Sequence, residues 1–480
     1  MTVPVINWHM LMPELVIVLT FVIVMVFDLF KSIRKSILAW VTIIGSAIAL
    51  WASVEMLHAG VNGSQFNGML AVDRFSMFFK IIFLVSTILV SLISINYLDR
   101  GDKRQGEYYV LILLATLGMM LMASGNELIV VFLGLELMSL SLYVLAGYFR
   151  SVQVSSEAGM KYLLLGAFAS GFFLYGIALI YGGAGTTSIP EIASVLEDGE
   201  KSPLMLAGMF LLIVGFGFKV ALVPFHQWAP DVYEGAPTTI AAFISAGPKA
   251  AGFAAFLRIF TSALESLQPE WIVVIVILAA LTMTVGNVIA TAQSNIKRML
   301  AYSSVAHAGY VLVALAAANK DGISSAMLYL LVYCVMNIGA FAAVILATTE
   351  DGENLKISDY AGLGFRKPLL ALFLSIMLVS LAGFPPTAGF VGKFYVFRSA
   401  VDAGHIWLVV IAAINTAISA FYYLRVVVVM YMQEPDEELE YHAYPGLLVF
   451  TLLLATIGVV LIGVLPSYFL GPAQISTQFF

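Results

Sequence analysis

The 480-residue sequence predicts an all-α, polytopic membrane protein of about 14 transmembrane helices, with two inverted five-helix repeats that each contain a broken helix. Three observations lead to this reading. Hydrophobic residues make up 61% of the chain and charged residues only 11%, against about 25% charge in an ordinary soluble protein. Apolar stretches of about 20 residues recur along the whole length. A lysine embedded in such a stretch beside a proline break occurs twice, at Lys219 before Pro224 and at Lys393 after Pro385 and Pro386.

In chain order the stretches fall at 10–30, 37–57, 75–97, 107–124, 128–147, 160–181, 204–225, 239–262, 270–293, 299–318, 324–348, 369–400, 406–431 and 447–470. The first does not read as a cleavable signal, since it lacks a basic leader, carries Glu14 and ends in Asp28. The stretch at 369–400 is too long for one straight crossing at 1.5 Å per residue, so the Pro-Pro pair is expected to divide it. The fourth to eighth stretches form one group of five and the ninth to thirteenth another. In each group the fourth member is broken and carries a lysine. An odd number of crossings makes consecutive copies enter from opposite faces, the plan of transporters whose sites lie at discontinuous midplane helices. The chain thus divides into an N-terminal three-helix segment (1–106), a first repeat (107–262), a second repeat (263–432), and a terminal loop and helix (433–480).

Sidedness follows from the loops. Of the 23 Lys and Arg, 13 fall in loops on one side of this threading, 4 on the other, and 6 within the stretches. The richer side is expected to be cytoplasmic, which puts both termini outside it. The acidic run at 434–440 does not oppose this, because acidic residues weigh little in the rule. The net charge of -6 is uninformative here, and nothing supports a nucleic-acid role.

The six cations within the stretches are Lys80, Lys219, Lys249, Arg258, Lys393 and Arg425. A charged side chain at the centre of a membrane helix costs about 2.5–3.5 kcal/mol on insertion scales and is functional by default. Lys219 lies deep in its stretch, where snorkelling is hardest. Glu136, isolated in LIVVFLGLELMSLSLYVL, is the expected partner that controls its proton. Low dielectric disfavours an ammonium, so modest movement of a nearby carboxylate can switch a lysine between charged and neutral forms. Lys249, after Gly247 and Pro248, and His226, in PFHQW, extend a polar path from Lys219, although His226 near the break also suits backbone capping. Lys393 lies beyond the second break, and His307 in AYSSVAHAGYVLV suits a link between the halves or a plain interior hydrogen bond. Lys80 and Arg258 are near enough to stretch ends to snorkel, and Arg425 is expected to reach lipid phosphate or acidic loop residues. Lys161, four residues after Glu157, reads as a surface pair. Cys334 is the only cysteine and cannot ligate a cluster, no dinucleotide fingerprint is complete, and no metal site is read.

The segments FLGLELMSLSLYVLAGY, GFGFKVALVPFHQWAPDVYEGAPT, SNIKRMLAYSSVAHAGYVLVAL and SLAGFPPTAGFVGKFYVF together resemble the antiporter-like membrane subunits of respiratory complex I. The resemblance places that family's membrane glutamate on Glu136, its helix-seven lysine on Lys219, its helix-eight lysine on Lys249 and its helix-twelve ionisable residue on Lys393. A lysine at that last position, and no long lateral helix after the final stretch, resemble one branch of the family rather than its M and L types. The resemblance implies a proton channel with no redox centre or cofactor in this chain, in an NADH-quinone oxidoreductase whose NADH, FMN, iron–sulfur clusters and quinone belong to the whole complex. It implies other antiporter-like and small membrane subunits as partners, peripheral redox subunits indirectly, and a bacterial inner membrane. The alternative is a subunit of a multisubunit cation/proton antiporter, which shares the Glu and Lys motifs. A purely structural scaffold leaves the six embedded cations unexplained.

The charge asymmetry predicts that a cysteine introduced at either terminus is labelled from the periplasm by an impermeant maleimide. Labelling only from the cytoplasm would overturn the orientation.

Overall fold

The computed structural model describes residues 6–30, 35–99, 105–199, 201–348, 355–434 and 445–477. Lys31, Arg34, Arg100, Lys103 and Arg104 of the sidedness argument, the loop at 349–354 and most of the acidic run (435–440) lie outside the described residues.

The chain is helical almost throughout. The helices are α1 Met12–Asp28, α2 Lys35–Ala59, α3 Arg74–Asp99, α4 Gln105–Ser124, α5 Leu128–Ala146, α6 Gln153–Ala184, α7 Ile189–Glu197, α8 Pro203–Lys219, α9 Trp228–Gly235, α10 Thr238–Ser245, α11 Gly247–Arg258, α12 Gln268–Thr291, α13 Ile296–Ala316, α14 Lys320–Leu346, α15 Leu363–Arg366, α16 Pro368–Ala382, α17 Ala388–Asp402, α18 Ile406–Met432, α19 Gly446–Val464 and α20 Ser467–Ile475. Every apolar stretch in the sequence coincides with a helix or a broken pair, and among the described residues 11 spans are long and apolar enough to cross a bilayer unaided. Two features were not anticipated. A two-stranded antiparallel hairpin pairs Gly63–Gln65 with Leu70–Val72, and the short helices α7, α9, α15 and α20 lie between or beyond the crossings.

Loop contacts keep the two faces distinct. Leu70 bridges to Gly125 and Glu127 to Ser188 on one face, and Asn295 bridges to Lys356 on the other. These groupings match the alternation of the sequence threading. At the centre, α10, α11, α13 and α14 are buried on nearly all sides, and α3 packs against α10, α11, α14 and α19. Helices α6 and α18 instead present apolar side chains such as Phe168 and Phe421 outward, as lipid-facing surfaces do.

Three crossings are discontinuous, each for a local reason. After Lys219 the residue Ala221 takes a positive φ of 60° and Pro224 has no N–H to give, so α8 stops. The freed Phe218 carbonyl accepts from the Trp228 indole at 2.9 Å, and the Val223 N–H donates to Thr282 Oγ1 at 3.1 Å. Between α10 and α11 the chain kinks at Ala246, whose φ and ψ are −107° and −86°. Helix α16 ends at Gly383 with φ +90°, where a Cβ would also stand 2.9 Å from the Lys393 stem. The Pro-Pro pair follows, and α17 begins at Ala388.

Two cations differ from the sequence expectation. Lys80 and Arg258 do not snorkel. Lys80 points inward and pairs with Glu14 of α1 at 2.6 Å, fully buried. Arg258 pairs with Asp73 at 2.9 Å, donates to the Ala123 carbonyl at 3.2 Å and lies over the Phe75 ring. Partners 66 and 185 residues away explain the misreading, because position along a stretch says nothing of a distant carboxylate. Arg425 donates to the carbonyls of Thr291 and Gln293, closing the C-terminal end of α12.

Asp73→Ala strands Arg258 as an uncompensated buried charge and is expected to cost about 3–5 kcal/mol. Thermal unfolding of the membrane-extracted protein should show the loss, and Asp73→Leu with Arg258→Met should recover most of it. A single mutant that melts like the parent would contradict a structural role for the pair.

Candidate proton-transfer site

Lys219 is the last residue of α8, at the end of the helix dipole that favours a cation. Its ammonium donates to Ser139 Oγ of α5 at 2.9 Å and lies 5.7 Å from the centre of the Tyr162 ring. That ring is itself stacked on Trp228, 4.4 Å between centres. Glycine at 252 leaves room for Val220 and the Lys219 stem against α11, since a Cβ there would come within 2.7 Å of Val220.

Glu136 stands one turn before Ser139 on α5 and accepts a hydrogen bond from Ser170 of α6. Among the described residues carboxylate and ammonium make no salt bridge; a gap of about 10 Å³ beside them is lined by Ser139, Ser170 and Lys219. Such a gap is near the smallest that holds one water.

Lys249 is in the first turn of α11, the end of a helix dipole that disfavours a cation. Its ammonium donates to the Ser304 carbonyl of α13 at 2.6 Å and to Ser304 Oγ. Three residues on, His307 is almost fully buried, with Nδ1 2.7 Å from the Tyr329 hydroxyl and Nε2 3.2 Å from the Tyr423 hydroxyl. Three residues further, the Tyr310 ring lies under the Lys393 ammonium, 4.7 Å from the ring centre. One face of α13 therefore presents Ser304, His307 and Tyr310 at successive turns, about 4.5 Å apart along the axis. It leads from Lys249 in the first repeat to Lys393 in the second. Lys393 donates to the carbonyls of Leu381 at 3.2 Å and Ala382 at 2.9 Å, the open end of α16.

His226 is half-buried on the 220–227 link, with its ring against Tyr302. Among the described residues no hydrogen bond joins it to Lys219 or Lys249. Lys161 pairs with Glu157 as its spacing suggested, at 2.8 Å, and also with Asp231 of α9 at 2.9 Å. Arg298 of α13 holds Asp231 at 2.9 Å and Glu234 at 2.6 Å, pinning α9 beneath the broken helix. Burial alone would raise the Asp231 carboxyl, but the hydrogen bonds from Lys161 and Arg298 outweigh it and keep it below its ordinary range.

The embedded lysines fall into two kinds. Lys80 has a carboxylate partner; Lys219, Lys249 and Lys393, each at most 5% exposed, have none within salt-bridge distance among the described residues. Sequence reasoning missed Ser139, Ser170, Ser304, Tyr310, Tyr329 and Tyr423. The signal that could have found Ser139, Ser304 and Tyr310 is their three-residue spacing from Glu136 and His307.

Residues 125–419 match the family described as NADH:quinone oxidoreductase/Mrp antiporter, TM. A NADH-quinone oxidoreductase subunit N from Trichlorobacter lovleyi is 49% identical over 98% of this chain and 96% of its own length. The subunit N 2 of Rhizobium meliloti is 44% identical over 96% of both chains. Among solved structures, a chain of respiratory complex I from Thermus thermophilus superposes with a TM-score of 0.83 at 33% identity, covering 97% of this chain and 100% of that one. A chain of the Mrp complex from Dietzia has a TM-score of 0.87 at 20% identity, covering 98% of this chain and 97% of that one, and shares the fold.

Glu136→Gln and Lys219→Ala are each expected to leave the protein folded and inserted while sharply lowering proton movement in its native assembly. Proton translocation at the parent rate in a variant that is fully assembled would argue against a coupled pair.

Proposed function

The chain belongs to the subunit N branch of the NADH:quinone oxidoreductase/Mrp antiporter membrane family, and from that premise we propose that its buried lysines carry protons across the membrane. It is a proton-translocating membrane subunit of an NADH-quinone oxidoreductase. The observation that carries the assignment of residues is the contrast between cations: among the described residues Lys219, Lys249 and Lys393 lack a carboxylate partner, whereas Lys80 and Arg258 have one. A lysine held by hydroxyls and carbonyls can lose its proton without stranding a buried anion.

In this reading Glu136 tunes Lys219 across the small gap by Ser139 and Ser170, and Lys219 hands its proton along α11 to Lys249. Lys249, at the unfavourable end of its helix, is the transient carrier. Ser304 and His307 relay towards Lys393, since a neutral imidazole offers one donor and one acceptor nitrogen. Lys393 releases the proton on the opposite side. His226 stands off this line and is assigned to the link that positions α9. Residues 107–262 and 263–432 act as the two inverted halves, with the N-terminal segment buttressing them. Moving one charge against 100 mV costs about 2.3 kcal/mol, so the transfer needs an external drive. Quinone reduction elsewhere in the complex supplies it through neighbouring membrane subunits. NADH, FMN, iron–sulfur clusters and quinone are cofactors and substrates of that assembly. The location is the bacterial inner membrane, with both termini periplasmic. Relatives named subunit N at 44–49% identity favour this over a cation/proton antiporter subunit.

Lys393→Arg keeps the charge but hardly releases a proton. The assembled variant complex should retain FMN and iron–sulfur signals yet translocate far fewer protons per NADH oxidised. Normal translocation would make Lys393 a structural cation, and a native assembly without FMN or iron–sulfur signals would favour the antiporter.

A further inference from the structure

A cavity of about 420 Å³ runs along α17 from the Lys393 stem to the helix end, walled by Phe390, Phe394, Phe397 and Val401. Phe394 and Val401 are about half exposed at its outer side, so it opens sideways towards lipid. The wall from Phe390 to Val401 covers twelve residues, about 16 Å of helix. One leaflet of a bilayer whose hydrocarbon core is about 30 Å thick has nearly that depth. An apolar cavity of this kind does not fill with water.

At the helix end the same cavity reaches Arg398 and Asp402. These two residues also line a second, polar cavity of about 70 Å³, with Asp321, Ser324, Ser325 and Ser399. The Arg398 Nε lies 3.7 Å from Asp402, a long contact that leaves both groups able to take other partners. The mouth therefore offers one cation for a phosphate and two carboxylates, with hydroxyls, for an amine. An acidic lipid finds more negative than positive charge here. A quaternary amine has no N–H to donate to these carboxylates and hydroxyls.

We propose that this is a binding site for a phospholipid with a primary-amine headgroup, of the phosphatidylethanolamine class. Its acyl chain lies in the α17 cavity, its phosphate on Arg398, and its ammonium between Asp402 and Asp321. The chain then covers the aliphatic stem of Lys393 from the lipid side, while the Lys393 ammonium stays turned to Leu381, Ala382 and Tyr310. This sealing role rests on the proton-carrier reading of Lys393. The binding site does not, so the test below is read without turnover.

The assembled complex is placed in phosphatidylcholine nanodiscs with a trace of phosphatidylethanolamine bearing a photoreactive diazirine in its acyl chain, and adducts are mapped by mass spectrometry. Adducts should concentrate on residues 390–401. Unlabelled phosphatidylethanolamine should compete about tenfold better than phosphatidylglycerol or added phosphatidylcholine, the worth of one charge-assisted hydrogen bond. Arg398→Gln and Asp402→Asn, both at an exposed helix end, should erase that preference. Labelling of α17 no denser than on the outer face of α6 at Leu164 and Phe168, competition indifferent to headgroup, or shielding of α17 by a neighbouring subunit would each overturn the proposal.

Discussion

A lysine ammonium in low dielectric needs oriented dipoles around it, and facing hydroxyls and carbonyls at the helix breaks supply them: Ser139 for Lys219, Ser304 for Lys249 and the end of α16 for Lys393. Lys219 is the last residue of α8; Lys393 reaches back from α17 to the Leu381 and Ala382 carbonyls that end α16. The proline breaks, the positive-φ turns at Ala221 and Gly383, and the room left by glycine at 252 and 383 all serve that arrangement. Magnitudes support the proposal that these lysines exchange protons. A helix end contributes about 0.3–1 kcal/mol, up to ~2 where partly buried, against several kcal/mol to desolvate an ion. The compensation is therefore partial.

Ion-paired cations behave otherwise. Lys80–Glu14 ties α3 to α1, and Arg258–Asp73 ties the end of α11 to the start of α3. Breaking such a pair strands a full charge; the first pair lies within the N-terminal segment, the second joins that segment to the first repeat, and neither lies between Lys219 and Lys393. Helix α13 is shared by both functions. Its Arg298 pins α9 by Asp231 and Glu234, and its Ser304, His307 and Tyr310 line the way between the lysines of the two halves.

Much of this was legible in the sequence because membrane solvation leaves a strong local mark. Apolar runs of crossing length, prolines beside lysines and the spacing of the two breaks located the apolar helices and the ionisable groups at 136, 219, 249, 307 and 393, of which Glu136 is half-buried and the others buried. What escaped was tertiary. Nothing near Lys80 announces Glu14, and the hydroxyls that hold the lysines are residue types common in any membrane helix. The separation of Glu136 from Lys219 by two serines, and the placing of His226 against Tyr302, likewise depend on how helices rotate against one another. Stretches alone do not fix that rotation.

The central claim is that carboxylate-paired cations hold the fold while unpaired lysines carry protons. It is tested most directly by the ratio of protons translocated to NADH oxidised in assembled complexes carrying either Glu14→Leu with Lys80→Met, or Lys249→Met. The first swaps a buried pair for apolar groups of similar size, a change that is often neutral or stabilising. The account predicts a parental ratio for the paired swap and a collapsed ratio for Lys249→Met. A collapsed ratio for the first, or a parental ratio for the second, would contradict it.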